Sequence, residues 1–428
     1  MSIKHNTLAY AQQLDQQDPL APMRAHFAIP KQANGRDEYY FTGNSLGLQP
    51  KLARAAVIEL LDAWQTRGVK GHFEGDFPWL PYHEFLTEQA AAIVGALPEE
   101  VVMMNSLTAN LHLMMVSFYQ PNQQRSKILI EDHAFPSDHY AVTSQLKHHG
   151  ISVEDNLLLW SPRAGEELLN YQDLWQIIEQ HGDEIALILL PGVQYYTGQV
   201  LDMARITSAA HAKGIKVGFD LAHAAGNIEL SLHEWQVDFA CWCSYKYLNS
   251  GAGSVAGCFI HQRHVKNTEL NRFAGWWGHD KSSRFNMDNN FQAIPSAEGW
   301  QLSNPPVLSL AAVRGAFDTI ALAGGMPALR KKSLLLTQYL TQRLTAELSD
   351  KIRIITPNNP AERGCQLSLM VKLAGLDGKA LFKALDENGV TTDWREPNVI
   401  RVAPVPLYNS FQDVYHFVNI LKECLECR

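Results

Sequence analysis

Asp220 and Lys246 are the residues of this chain whose types and spacing most directly suggest chemistry. Asp220 closes an apolar run, Ile215-Lys216-Val217-Gly218-Phe219-Asp220, and His223 follows three residues later. Lys246 lies in Cys243-Ser244-Tyr245-Lys246-Tyr247-Leu248-Asn249, just before the small residues Ser250-Gly251-Ala252-Gly253. An acid at a strand end, followed about two dozen residues on by a lysine flanked by hydroxyl and aromatic residues, suits pyridoxal phosphate. The lysine would carry the cofactor as a Schiff base. The carboxylate would keep the pyridine nitrogen protonated, so that the ring accepts electrons from a substrate carbanion. The same spacing equally describes a strand-end acid and an unrelated surface lysine, and the pair alone leaves both readings open.

A phosphate needs a cradle. Met104-Asn105-Ser106-Leu107-Thr108-Ala109-Asn110 precedes a helical pattern at 111–118. Small polar residues at a helix start offer free backbone N–H groups and the positive dipole end to a dianion, although an ordinary N-cap explains the segment as well. In Ala134-Phe135-Pro136-Ser137-Asp138-His139-Tyr140 a strand end releases an aromatic into a proline turn. Phe135 there can stack on a flat ring or belong to the core.

The elements that would position these residues follow from hydrophobic patterning. Up to about residue 55 the chain reads as irregular, broken by Pro19, Pro22, Pro30 and Gly35, with a turn at Gly43-Asn44-Ser45-Leu46-Gly47. From about 90 to 260, apolar β-rich runs alternate with helical patterns, which predicts a parallel α/β sheet. Strands are expected at 127–131, 185–190, 215–220, 239–243 and 255–260, with helices at 171–181 and 202–213 between them. Residues 307–348 read as helical with a break at Gly324-Gly325. Beyond 350, strands at 352–355, 367–372 and 399–403 alternate with helices at 378–388 and 411–424, a smaller α+β domain.

Composition narrows the function classes. With 428 residues and 46% hydrophobic content the chain can bury two or three domain cores. A net charge of −8 without a long basic run argues against a nucleic-acid partner. Six cysteines, at 241, 243, 258, 365, 424 and 427, are too sparse for a disulfide framework. Cys424 and Cys427 form a lone C-x-x-C that reads as an exposed reduced pair rather than a zinc site. None of the seventeen histidines falls in a metal-hydrolase spacing, and His148-His149 and Asp132-His133 read as solvated surface. The N-terminus lacks a signal-peptide core and no stretch approaches a membrane span, so a cytoplasmic setting with no membrane partner is expected.

Taken in order, several segments resemble kynureninase. They are Gly43-Asn44-Ser45-Leu46-Gly47-Leu48-Gln49-Pro50, Phe135-Pro136-Ser137-Asp138-His139-Tyr140, Phe219-Asp220-Leu221-Ala222-His223-Ala224 and Cys243-Ser244-Tyr245-Lys246-Tyr247-Leu248-Asn249. Gly275-Trp276-Trp277-Gly278-His279, Ser303-Asn304-Pro305-Pro306 and Ile400-Arg401-Val402-Ala403-Pro404-Val405-Pro406-Leu407-Tyr408-Asn409 complete the set. The resemblance implies an α/β fold-type I pyridoxal phosphate enzyme, with a mainly parallel seven-stranded sheet flanked by helices and a smaller α+β domain. It implies an N-terminal segment over 1–55, a cofactor-binding domain over 56–310, and a linking helix with the small domain over 311–428. The implied reaction is hydrolysis of L-kynurenine or 3-hydroxykynurenine to an anthranilate and L-alanine, in a homodimer with active sites at the subunit interface.

By the same resemblance Lys246 carries the cofactor, Asp220 pairs with the ring nitrogen, and Phe135, with Pro136 and Ser137, packs on the ring near Asp138 and His223. Leu107, Thr108 and Tyr245 hold the phosphate, with Trp276 and Asn304 helping from the partner subunit. Tyr245 is the candidate acid/base for the later steps. Ser45, His72, Ser303, Asn304 and Arg401 face the substrate, with Arg401 clamping its α-carboxylate. His72 and Ser303-Asn304 match the more polar aryl pocket of kynureninases that favour 3-hydroxykynurenine, a preference suited to making nicotinamide cofactors. A histidine that merely satisfies a loop carbonyl is the competing account of His72. One departure is visible: where related enzymes can carry a small hydroxyl residue, this chain has Pro191, which has no donor. A cysteine desulfurase or aminotransferase would share Asp220 and Lys246, and a non-catalytic binding protein could keep the fold. The desulfurase would need a mobile catalytic cysteine, and none sits in an obvious exposed loop.

Overall fold

The computed structural model describes residues 3–267, 269–372 and 377–426. Its larger sheet has seven strands in the order Val101–Met103, Gly257–Ile260, Phe239–Trp242, Lys216–Asp220, Ile185–Pro191, Lys127–Glu131 and Leu157–Trp160. The last five run parallel, whereas Gly257–Ile260 is antiparallel to both of its neighbours. A parallel sheet covered on both faces needs strands that are apolar on both sides, and these runs supply that. Leu129, Ile188, Val217 and Ala240 face one core, while Ile128, Leu187 and Phe239 face the other. The two-residue period of a strand produces that division.

Parallel strands end on one edge, and here Glu131, Pro191 and Asp220 do so side by side. Ligands of open α/β sheets bind at such an edge. The linking helices Val307–Leu322 and Gly325–Leu348 part at Gly324, whose φ of 89° few other residues tolerate. A second, four-stranded antiparallel sheet orders Ile352–Ile354, Leu367–Val371, Val399–Val402 and Asp393–Arg395. Helices Gly378–Glu387 and Phe411–Glu426 bury Leu381, Leu385, Val414 and Phe417 in its core, and Ala11 and Phe41 join them from the N-terminal segment.

Several expectations need correction. The first 55 residues are not irregular throughout, because a helix spans Leu8–Gln17 and another begins at Lys51. The first buries only Ala11, so periodicity hides it. Tertiary bonds fix it instead: Asp15 accepts the Phe411 and Gln412 N–H groups, at 2.7 and 3.1 Å, and so caps the last helix from outside. Val101–Met103, Leu157–Trp160 and Asp393–Arg395 are strands too short for a pattern to announce. Cys424 is buried rather than exposed, and Cys427 lies outside the described residues. No single helix among the described residues is long and apolar enough to cross a membrane.

Candidate active site

A cavity of about 320 Å³ opens at the edge where the parallel strands end. It gathers Glu131, Pro191 and Asp220 from those ends, Leu107 and Thr108 from a helix start, Phe135 from the turn after Lys127–Glu131, and Ser137 and Asp138 from the first turn of the helix that follows it. His223, Tyr245, Lys246 and Ser45 complete the expected residues that line it. The Gly43–Gly47 turn reaches the site because Gly47 lies against the Lys246 carbonyl and donates its N–H to the Tyr245 carbonyl at 2.8 Å. A side chain at Gly47 would collide with that backbone.

The helix at the cavity starts at Leu107, four residues before the apolar pattern suggested. Its N-cap Ser106 is extended and makes no side-chain cap bond, so donors of the first turn stay open toward the cavity that Leu107 and Thr108 line. Thr108 Oγ1 and Ser137 Oγ, 2.8 Å apart, tie this turn to the proline turn. An unsatisfied helix start of this kind fits a phosphate dianion.

The floor carries more carboxyls than cations. Burial pushes the Asp220 carboxyl up, opposed by the Ala222 N–H at 2.7 Å and by the Lys246 charge. Burial and the neighbouring Asp220 raise Asp138 further, so Asp138 keeps the proton and donates it to Asp220. Burial lowers Lys246, whose Nζ stands 2.9 Å from His223 Nε2 and 6.0 Å from the centre of the Phe135 ring. Burial, then Lys246, holds His223 neutral, and its buried Nδ1 has no partner. Burial also raises Tyr245, keeping its phenol protonated. A depressed lysine, a buried acid below, an aromatic ring beside and an open helix start together fit pyridoxal phosphate.

Glu131, which the sequence reading passed over, is pushed up to about 8 by burial and then by the charges of Asp220 and Asp132. Its partner is the Gln194 amide, at 3.5 Å. The folded protein thus holds a proton that the unfolded chain releases above the ordinary value of 4.5, and stability falls as pH rises between the two. Glu131→Gln should therefore stabilise the cofactor-free protein by a margin that grows from about pH 5 to pH 8, reaching roughly 2–4 kcal/mol. Thermal melts across that range test it, and a margin independent of pH would contradict an uncharged Glu131.

Other expected residues lie elsewhere. Pro136 opens the helix Pro136–His148 and is not in the lining. Trp276 is 42% exposed, and Ser303 and Asn304 are exposed. His72 and Asn304 share a second cavity of about 350 Å³ with Trp64, Trp79, Trp277 and Leu308. His72 Nδ1 also meets the Val69 carbonyl at 3.0 Å, the loop contact of the competing account. Arg401 is fully buried outside the first cavity, donating Nη1 to the Tyr195 carbonyl at 2.6 Å and Nη2 to Asp393 at 2.7 Å. The lining also includes Asn44, Ser106, Val193, Tyr195 and Arg395. Of the residues the reading passed over, Glu131 ends an apolar run as Asp220 does, which was a usable signal; Tyr195 and Arg395 gave none.

Two histidine–carboxylate groups approach ligand spacing, Glu100-His233-His261 and His83-Glu84-Glu298. Protein donors already occupy the first: Glu100 accepts from Leu97 N–H and Gln262 N–H at 2.9 and 2.8 Å, and His233 Nδ1 lies 2.9 Å away. Lys281 takes both carboxylates of the second. Among the described residues every cysteine is buried.

Comparison with known proteins points to one family. A family model described as the kynureninase C-terminal domain matches residues 329–421. The kynureninase of Koribacter versatilis (strain Ellin345) is 52% identical over 410 residues, covering 96% of each chain. A cysteine desulfurase from Thermococcus onnurineus NA1 superposes with a TM-score of 0.73 at 16% identity, over 91% of this chain and 95% of its own. A C-DES variant with glycine covalently linked to its PLP cofactor gives 0.77 at 16% identity, over 93% and 98%. The fold, with its mainly parallel seven-stranded sheet, is thus that of fold-type I enzymes.

Proposed function

The chain belongs to the kynureninase family, and from that premise we propose that it hydrolyses the Cβ–Cγ bond of L-kynurenine and 3-hydroxy-L-kynurenine, releasing L-alanine and the matching anthranilate. Its cofactor is pyridoxal phosphate. The observation that carries this reading is one cavity holding Lys246, depressed by burial, with Asp220 on its floor and an open helix start at Leu107 and Thr108.

When bound, pyridoxal phosphate supplies an electron-poor ring that stabilises negative charge on the substrate carbons. The chain does the rest. With the cofactor bound, Leu107 and Thr108, with Tyr245, would hold the phosphate, Phe135 would pack the ring, and Asp220, kept as the ionised member of its pair by the Asp138 proton, would hold the charge on the ring nitrogen. Lys246, already inclined to give up its proton, takes one from the substrate Cα. Tyr245, whose phenol stays protonated at neutral pH, supplies a proton to the alanine portion. Arg401 takes the α-carboxylate.

The 3-hydroxy compound is the preferred substrate in this reading, and a homodimer supplies the pocket. The homodimer is supported by His72 and Asn304 sharing a cavity apart from Lys246, beside exposed Trp64, Val69 and Phe73 suited to a second copy; the 3-hydroxy preference rests on the hydrogen-bonding groups of His72 and Asn304 in that cavity. Trp276, Ser303 and Asn304 would reach the cofactor and aryl ring from across that contact. The 1–55, 56–310 and 311–428 division, a cytoplasmic setting and a role in supplying nicotinamide cofactors belong to the same proposal. His72→Leu with Asn304→Leu should lower the ratio of kcat/KM for 3-hydroxykynurenine over kynurenine by about tenfold. An unchanged ratio would remove both residues from selectivity. The deciding experiment supplies cofactor-loaded protein with each substrate and quantifies alanine and aromatic product. No alanine from either would overturn the reading in favour of another lyase on this fold.

A further inference from the structure

Glu131 is the carboxyl of the cavity lining that still lacks a task. It is 2% exposed and shares the cavity with Lys246. Burial, with Asp220 and Asp132 nearby, pushes it up to about 8, so it carries a proton at neutral pH. That proton has no acceptor among the described residues. Gln194 is the side chain that hydrogen-bonds Glu131, and its amide is turned the wrong way to take it. Its Oε1 accepts the Tyr196 and Thr197 N–H groups, both at 2.7 Å, so Nε2 faces Glu131 as a donor, at 3.5 Å. A buried O–H without an acceptor is costly, and in a cavity a ligand can supply the missing partner.

The order of the sheet decides which part of a bound cofactor Glu131 meets. Asp220, Pro191 and Glu131 end three neighbouring strands, Lys216–Asp220, Ile185–Pro191 and Lys127–Glu131. The helix that opens with Leu107 follows Val101–Met103, which lies at the other edge of the same sheet. In pyridoxal phosphate the phosphate arm leaves one flank of the ring, the methyl group and phenolic oxygen occupy the other, and the nitrogen lies between them. Phosphate at Leu107 and Thr108, with nitrogen at Asp220, therefore turns the phenolic flank toward Pro191 and Glu131. Pro191 has no N–H to offer. Glu131 has a proton and nothing to give it to.

We propose that Glu131 donates a hydrogen bond to the phenolic oxygen of pyridoxal phosphate, the contact that Pro191 on the intervening strand cannot make. This rests on the cofactor placement proposed above and adds a residue to it. The two carboxyl oxygens divide their tasks: one accepts from Gln194 and the other donates to the ring, where the bond stabilises negative charge on the phenolic oxygen.

The test titrates cofactor-free protein with pyridoxal phosphate and with 3-deoxypyridoxal phosphate, which lacks the phenolic oxygen. Glu131→Met removes the donor at similar size, whereas Glu131→Gln keeps one. Glu131→Met should weaken pyridoxal phosphate by about 10-fold, and Glu131→Gln should stay within about threefold of wild type. All three proteins should bind the deoxy compound within about threefold of one another. Equal weakening of both compounds by Glu131→Met would mean a packing role and would overturn the proposal. Unchanged binding of pyridoxal phosphate would overturn it too, while leaving the placement over Asp220 intact. Glu131→Gln as weak as Glu131→Met would likewise count against a donated hydrogen bond. A second measurement does not depend on Glu131→Met folding. Infrared difference spectra of wild type against Glu131→Gln isolate the Glu131 carboxyl, whose C=O band should shift with pyridoxal phosphate and not with the deoxy compound. A band that both compounds move equally, or that neither moves, would overturn the proposal. Neither measurement needs turnover, so a protein that behaves as expected here yet releases no alanine from kynurenine would sink the proposed reaction and leave this assignment standing.

Discussion

Lys246→Ala should leave a folded protein that neither turns over kynurenine nor holds its cofactor covalently. Turnover should fall by roughly 10⁴-fold or more, because one substitution removes both the attachment point and the base at Cα. Folding should survive, since the lysine is a buried cation whose partner is a neutral His223 rather than a carboxylate in contact. Removing it relieves a desolvation cost while withdrawing some compensation from Asp220. Borohydride reduction followed by mass spectrometry reads the first effect: the wild type should retain the cofactor mass and the variant should not. Covalent retention by the variant would place the attachment on another lysine and dismantle the site as drawn.

Asp220→Asn should cost about 10²- to 10³-fold in kcat/KM, and less than its position suggests, because Asp138 can partly replace it. In the wild type the Asp220 charge, after burial, is what raises Asp138. With an amide at 220 that charge is gone, Asp138 ionises more readily, and a carboxylate returns to the floor of the cavity. Asp138→Asn alone should be mild, since Asp138 already carries the proton. The double variant should then lose far more than the product of the two singles, about 10⁴-fold or beyond. Measuring kcat/KM for all four proteins closes the cycle; multiplicative losses would show that the two carboxyls act independently.

Much of this site was legible because its parts are local in the chain. Asp220 ends a strand and His223 follows within its turn; Tyr245 adjoins Lys246; Leu107 and Thr108 open one helix. The elements carrying them announced themselves by pattern. The strand Lys127–Glu131, the helix Tyr171–His181 and the break before Gly325 stand where periodicity and glycine placed them. Failures came where period was weak. Thr108 and Asn110 interrupt the apolar pattern of their helix and so concealed its start. The helix Leu8–Gln17 buries too little of itself to show a stripe.

The sequence by itself determined the kind of chemistry through the ordered set of segments that resembles kynureninase, since the spacing of Asp220 and Lys246 alone leaves an unrelated acid and lysine equally open. Tertiary structure decided how that chemistry is tuned. Asp138 and Asp220 lie on different elements and share one proton only because the fold buries them together. Gly47 is required because the N-terminal turn lies on the lysine backbone some two hundred residues away. Arg401 is buried outside the cavity, bonded to the Tyr195 carbonyl and to Asp393, although its segment gave no sign of either partner. The reason is common to all three: burial and charge coupling depend on through-space distance between residues far apart in the chain, and hydrophobic period reports only on near neighbours.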